Sequence, residues 1–184
     1  MLELGQPLHA FDADKILGGL SIKRAGAELK FTTLDGQERT LNPDDLMVWD
    51  DAKSLALAGT MGGLESEITE STTRIAVEAV RFNPVAIAKN SRRHKLSSEA
   101  SRRLEHSVDP SLAEFSSARF VQLLTELSTA KHVETVIDGE PRYAPVVKVD
   151  PAYVSSVLGI EITPAEIAAH LRSVGCDVDE KTFE

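Results

Sequence analysis

Three features of this 184-residue sequence carry residue types suited to chemistry. The first is His9, in Gly5-Gln6-Pro7-Leu8-His9-Ala10-Phe11-Asp12. A histidine beside a proline, with Asp12 nearby, can serve as a base or hold a ligand. It can equally cap a turn and pack on Phe11. The second is Glu78, which interrupts the apolar run Ile75-Ala76-Val77-Glu78-Ala79-Val80. A carboxylate there must be solvated on one face or paired. In a strand it shares phase with Ala76 and Val80, so it either faces a pocket, ready to accept a hydrogen bond from a hydroxyl, or faces solvent. The third is Gly59-Thr60-Met61-Gly62-Gly63. It lacks the Gly-Lys-Ser/Thr ending of a phosphate loop. Its glycines let backbone approach a ligand closely, or simply make a tight turn. No metal set is evident: His9, His94, His106, His132 and His170 show no paired ligand spacing, and Cys176 is the only cysteine. No Gly-x-Ser-x-Gly elbow occurs. Chemistry alone goes no further than an α/β domain with a candidate polar pocket.

The elements that must position these residues change character along the chain. The first half reads as strands and turns. Ser21–Ala25 alternates as a strand does. Glu28–Thr33 and Gln37–Leu41 flank Leu34-Asp35-Gly36, a hairpin signal. Leu46–Trp49, Ser54–Ala58 and Thr73–Val80 read as further strands, with Gly59–Gly63 as a loop. The second half turns helical. Asn83-Pro84 opens a helix to about Arg92, and Ser97 or Ser98 caps one to about His106. Asp109-Pro110 opens a third, to about Thr129, with Ala113, Phe120, Leu123, Leu124 and Leu127 as its apolar stripe. Lys131–Asp138 reads as a strand. Residues 140–145 hold Pro141 and Pro145 and read as a linker. Beyond it the pattern restarts: a strand at Val146–Val149, a helix at Pro151–Leu158, a capped helix at Ala165–Val174, and a strand starting at Asp177–Glu180.

Composition sets outer limits. With 42% hydrophobic and 27% charged residues the chain is that of a globular protein. No apolar run reaches 18 residues, so no membrane contact is expected. The lone Cys176 fits a reducing cytoplasm. A net charge of −9 argues against a general nucleic-acid coat. The charge is uneven, however: Lys89, Arg92, Arg93, Lys95, Arg102 and Arg103 cluster with His94, opposed only by Glu99. That stretch is either a solvated helix face or a point of contact with a polyanion.

Three strings, in order, carry a resemblance. They are Gly5-Gln6-Pro7-Leu8-His9-Ala10-Phe11-Asp12; Ala56-Leu57-Ala58-Gly59-Thr60-Met61-Gly62-Gly63-Leu64-Glu65-Ser66-Glu67-Ile68-Thr69; and Ser91-Arg92-Arg93 with Leu96-Ser97-Ser98-Glu99-Ala100-Ser101 and Val108-Asp109-Pro110. Together they resemble the B3/B4 domain of the bacterial phenylalanyl-tRNA synthetase β subunit. The tail from Val146 resembles the start of that subunit's B5 domain. The expected architecture is α+β, or mixed α/β: a β-rich B3/B4-type sandwich with helices over residues 1–139, truncated at its N-terminus, then the linker 140–145 and a partial B5-like module over 146–184.

The resemblance implies a function. In that family the α subunit charges tRNA(Phe) with phenylalanine using ATP and Mg2+, within a complex of two α and two β subunits, and the B3/B4 domain hydrolyses tyrosine attached in error. No cofactor is expected in this chain. By resemblance Glu78 binds the tyrosine hydroxyl, His9 positions the ester or terminal adenosine, and Gly62 and Ala100 line the pocket. Ser98 stands where the family usually has threonine. Arg92, Arg93, Arg102 and Arg103 are candidate tRNA contacts. Neither His9 nor Glu78 is expected to be a general base, because substrate positioning and a hydroxyl of the tRNA serve in this family. The alternative is a tRNA-binding or scaffold module without chemistry. Two departures stand out: His94-Lys95 replaces an apolar-glycine pair, and His106-Ser107 replaces a basic residue and glycine. Both lie away from the pocket and weaken the tRNA-contact reading more than the editing one.

Overall fold

A computed structural model describes residues 1–139 and 146–179. The fold is α+β. The chain divides into two compact units, Met1–Pro141 and Arg142–Glu184.

The first unit begins with eight short strands: β1 (His9–Asp12), β2 (Ser21–Arg24), β3 (Lys30–Thr32), β4 (Glu38–Thr40), β5 (Leu46–Trp49), β6 (Ser54–Leu57), β7 (Met61–Gly62) and β8 (Ile75–Glu78). Three helices follow: α1 (Pro84–His94), α2 (Glu99–Glu105) and α3 (Leu112–Leu127). The strands form one four-stranded sheet, β2-β5-β6-β7, and two pairs, β1-β8 and β3-β4. The β3-β4 hairpin turns at Asp35-Gly36, where Gly36 takes a φ of 75°. That left-handed value suits glycine, which has no Cβ to clash. The glycine string expected as a loop contains a strand, because Met61 and Gly62 pair with Leu57 and Ala56.

Two apolar clusters hold this unit together. One gathers Phe11, Val48, Leu55, Phe82, Ile87 and Leu104, so both ends of the strand region meet α1 and α2 there. The other gathers Phe31, Leu41, Met47 and Leu57 beneath the β3-β4 hairpin. Full burial of each such side chain stabilises by roughly 1.5–3 kcal/mol. Helix α1 starts where Asn83-Pro84 predicts it: the Asn83 side chain accepts the Ala86 N–H. Its buried Asn90 then works as an extra rung for β5, accepting from the Leu46 N–H at 3.2 Å and donating to the Leu46 carbonyl at 2.9 Å.

The two departures noted in the sequence take on a backbone meaning. Lys95 ends α1 at φ 54° and Ser107 follows α2 at φ 69°; among the described residues these are the non-glycine residues at positive φ. Both occupy left-handed turns that glycine adopts without a side-chain clash. His94, in place of an apolar residue, is buried against the fully buried Asp45, Nε2 to Oδ2 at 2.6 Å.

The expected strand at residues 131–138 does not form. Val133, Val136 and Ile137 are instead largely exposed. A strand is stable only with a paired neighbour, and none lies beside this segment among the described residues. In the second unit, residues 146–149 and 177–179 likewise form no strand, while Glu180 and the linker 140–145 lie outside the described residues. Its two helices follow their sequence signals: α4 (Pro151–Leu158) is capped by Asp150, and α5 (Pro164–Ser173) by a reciprocal Thr163–Glu166 box. Ile167 and Ala168 are the buried residues of α5. No helix among the described residues is long and apolar enough to cross a membrane.

Candidate functional site

Strands β1 and β8 are antiparallel, with His9 directly opposite Glu78. Directly paired residues project from the same face with Cβ atoms about 5 Å apart. The register therefore brings together two polar side chains separated by 69 positions in the chain. That face meets β7 and the Ala100–Leu104 side of α2 across a cavity of about 80 Å³. His9, Gly62, Glu78 and Ala100 all line it, with Thr60 and Leu104 among the remaining wall residues. Four of the five candidate substrate-binding residues thus share one hollow.

Each is held by its own packing. The His9 ring meets the Phe11 ring edge-on, with centroids 4.5 Å apart, so the packing reading and the pocket reading of His9 both apply. Its other side is closed by Gly62: a Cβ there would lie 2.7 Å from His9 Cε1 and 2.8 Å from Nε2. Only glycine leaves room for the imidazole in this position. Burial lowers the His9 pKa, which favours the neutral ring. Burial also pushes the Glu78 carboxyl up to about 7, because removal from water penalises its charged form. The pocket thus offers a neutral imidazole and a carboxyl that is readily protonated, against mainly apolar walls.

Ser98 does not line the cavity. It caps α2, and its hydroxyl donates to the Thr60 carbonyl at 3.0 Å. The arginines are dispersed. Arg93 pairs with buried Asp45, whose Oδ2 also accepts the Asn42 N–H. Arg102 bonds Glu99 and Ser97. Arg92 and Arg103 are exposed, with Arg103 beside Gly5. Arg102 and Arg103 also border a larger open groove of about 410 Å³, shared with Glu99, His106 and Asp109. Its mixed charge and more open shape give it less power to select a ligand than the smaller, less open cavity. Among the described residues no group of three or more His, Cys, Asp or Glu is placed to hold a metal ion.

Sequence reasoning passed over Thr60, Phe82 and Leu104 as wall residues. Thr60 lay inside the glycine string, and Leu104 falls one helical turn after Ala100, so α2's periodicity pointed to it. It also passed over the Asp45–Arg93–His94 cluster, which has no local signal.

A family model described as the B3/4 domain matches residues 1–129. The chain is 42% identical over 182 residues to the phenylalanine–tRNA ligase beta subunit of Leifsonia xyli subsp. xyli, covering 98% of this chain and 21% of that protein. The subunit of Streptomyces avermitilis is 42% identical, covering 97% and 22%. That of Corynebacterium glutamicum is 43% identical, covering 97% and 21%. The chain therefore spans about a fifth of the length of the curated relatives it matches.

Proposed function

The chain belongs to the B3/4 domain family, and on that premise we propose that it is the editing module of a phenylalanine–tRNA ligase β subunit, hydrolysing Tyr-tRNA(Phe). The observation that carries this reading is the shared cavity of His9, Gly62, Glu78 and Ala100, with the half-buried Glu78 carboxyl as the group able to bond a hydroxyl there. A synthetic site rejects an added hydroxyl poorly, so a second site selecting for that hydroxyl completes the discrimination. Tyrosine satisfies the Glu78 carboxyl. Phenylalanine leaves it unpaired, at roughly 1–3 kcal/mol.

Hydrolysis in this reading is positional. Water attacks the ester carbonyl carbon, the bond to the ribose oxygen breaks, and tyrosine and tRNA leave. Glu78 anchors the side chain and His9 bounds the substrate near its ester or adenosine. Neither is assigned as the base, since orientation and a hydroxyl of the tRNA supply the rate. ATP and Mg2+ belong to the charging reaction, which we assign to the α subunit of a two-α, two-β cytoplasmic complex. Residues 1–139 make the editing domain, and the unit holding α4 and α5 belongs to a B5-like domain.

The deciding experiment places Glu78→Ala in a full-length β subunit paired with α and follows deacylation of Tyr-tRNA(Phe) and Phe-tRNA(Phe). The expected result is loss of the preference for the tyrosyl ester; an unchanged preference removes Glu78 from its role. Exposed Arg92 and Arg103 favour a second reading, a tRNA-binding or scaffold module without chemistry. Salt-sensitive tRNA binding by this chain without turnover of mischarged tRNA would select it.

A further inference from the structure

Ser98 and Ser101 make a reciprocal cap at the start of α2. The Ser98 Oγ accepts the Ser101 N–H at 3.1 Å, and the Ser101 Oγ accepts the Ser98 N–H at 2.9 Å. This sets where α2 begins and hence where Ala100 faces the cavity. The Ser98 proton goes elsewhere: it is donated to the carbonyl of Thr60, 38 positions earlier in the chain. Thr60 is itself buried, its N–H bonded to the Leu57 carbonyl at 3.0 Å and its hydroxyl to the Ala58 carbonyl at 3.2 Å. One hydroxyl therefore spans from the helical wall of the cavity to the glycine wall. With its proton given to Thr60 and a lone pair engaged by Ser101, it is not presented to a ligand.

We propose that Ser98 is a positioning residue, resting on the editing reading: its hydroxyl ties residues 59–63 to α2 and so fixes the spacing between Ala100 and Gly62, against which the His9 ring lies, without touching the substrate. Threonine can make the same two bonds. Glycine also serves as an N-cap but cannot reach Thr60, which separates the tether from the cap.

Two measurements test this. The first is amide hydrogen exchange on the present chain. In Ser98→Gly the amides of Thr60 and Gly63 exchange about tenfold faster or more, while Ser98→Thr retains the parent rates. Unchanged exchange in Ser98→Gly overturns the tether. The second is single-turnover deacylation of Tyr-tRNA(Phe) by full-length β subunit with α. Ser98→Gly lowers the limiting rate about tenfold, with little change in the enzyme concentration giving half that rate, and Ser98→Thr restores it. Faster exchange with an unchanged rate, or no restoration by threonine, overturns the positioning role. Glu78→Ala runs beside them. If the parent enzyme itself fails to deacylate Tyr-tRNA(Phe), the editing reading has failed, and the exchange result still decides the tether by itself; if only Glu78→Ala leaves editing unchanged, Glu78 alone loses its role.

Discussion

Replacing Glu78 with glutamine isolates the energetic consequence of burying this carboxyl. Glutamine keeps the shape of the protonated acid and cannot ionise. The carboxyl pKa rises from an ordinary 4.5 to about 7 on folding, with burial as the cause. At ~1.4 kcal/mol for each pH unit, this corresponds to about 3 kcal/mol. The cavity still admits water to the carboxyl, so that figure is an upper bound, and about 1–2 kcal/mol is the expected effect. The sign follows from proton counting. Below pH 4.5 both folded and unfolded chains hold the proton, and burial carries no ionic penalty. Between about 4.5 and 7 the unfolded chain has released it while the folded chain keeps it, so stability falls as pH rises. Above about 7 the loss is complete. Glu78→Gln should therefore match the parent near pH 4 and exceed it by a plateau value near pH 8. Urea unfolding from pH 4 to 8.5, followed by the fluorescence of Trp49, the single tryptophan, measures this in the first unit. Asp12, Asp35, Asp50 and Asp109, whose pKa values are lowered chiefly by hydrogen bonds or held low despite burial, lose stability at acid pH in both proteins and cancel in the difference. A difference that stays flat from pH 5 to 8, or a variant weaker than the parent at pH 8, refutes the buried-acid argument.

Other substitutions probe the remaining contacts. Gly62→Ala places a methyl within 2.8 Å of the His9 ring, so it should displace the imidazole and lower Tyr-tRNA(Phe) deacylation by about tenfold or more in the full-length subunit; unaltered turnover would contradict the wedged geometry. Lys95→Gly relieves a left-handed backbone at φ 54° and should raise stability by about 0.5–1 kcal/mol, read as a higher urea midpoint with an unchanged slope. Asp45→Ala strips the buried partner from Arg93 and His94 and should lower stability by about 3 kcal/mol in the same urea measurement, far more than loss of an exposed pair such as Arg24–Asp44.

Much of the local structure was legible because its causes are local. Asn83-Pro84 starts α1, the serine pair starts α2, and Thr163-Pro164 with Glu166 starts α5, since a cap needs only one side chain and the next few N–H groups. Asp35-Gly36 turned the hairpin for the same reason. The phase of Glu78 in its strand restricted it to one of two faces, but alternation could not say which was covered. Segments 131–138 and 146–149 failed as strands because apolar alternation makes a strand possible and only a neighbour makes it stable.

The sequence by itself determined the family, the caps and turns, and the inventory of polar residues able to build a pocket. It also marked Lys95 and Ser107 as departures from glycine. The tertiary structure decided what those residues do. The β1-β8 register set His9 against Glu78, and enclosure by β7 and α2 raised the pKa of one and lowered that of the other. Long-range contacts sent Arg93 to a buried aspartate and the Ser98 proton to Thr60. Capping and turn energies act over a few residues and leave a mark in the string. Desolvation and strand pairing depend on groups far apart in the chain, and exist only once the chain has closed around them.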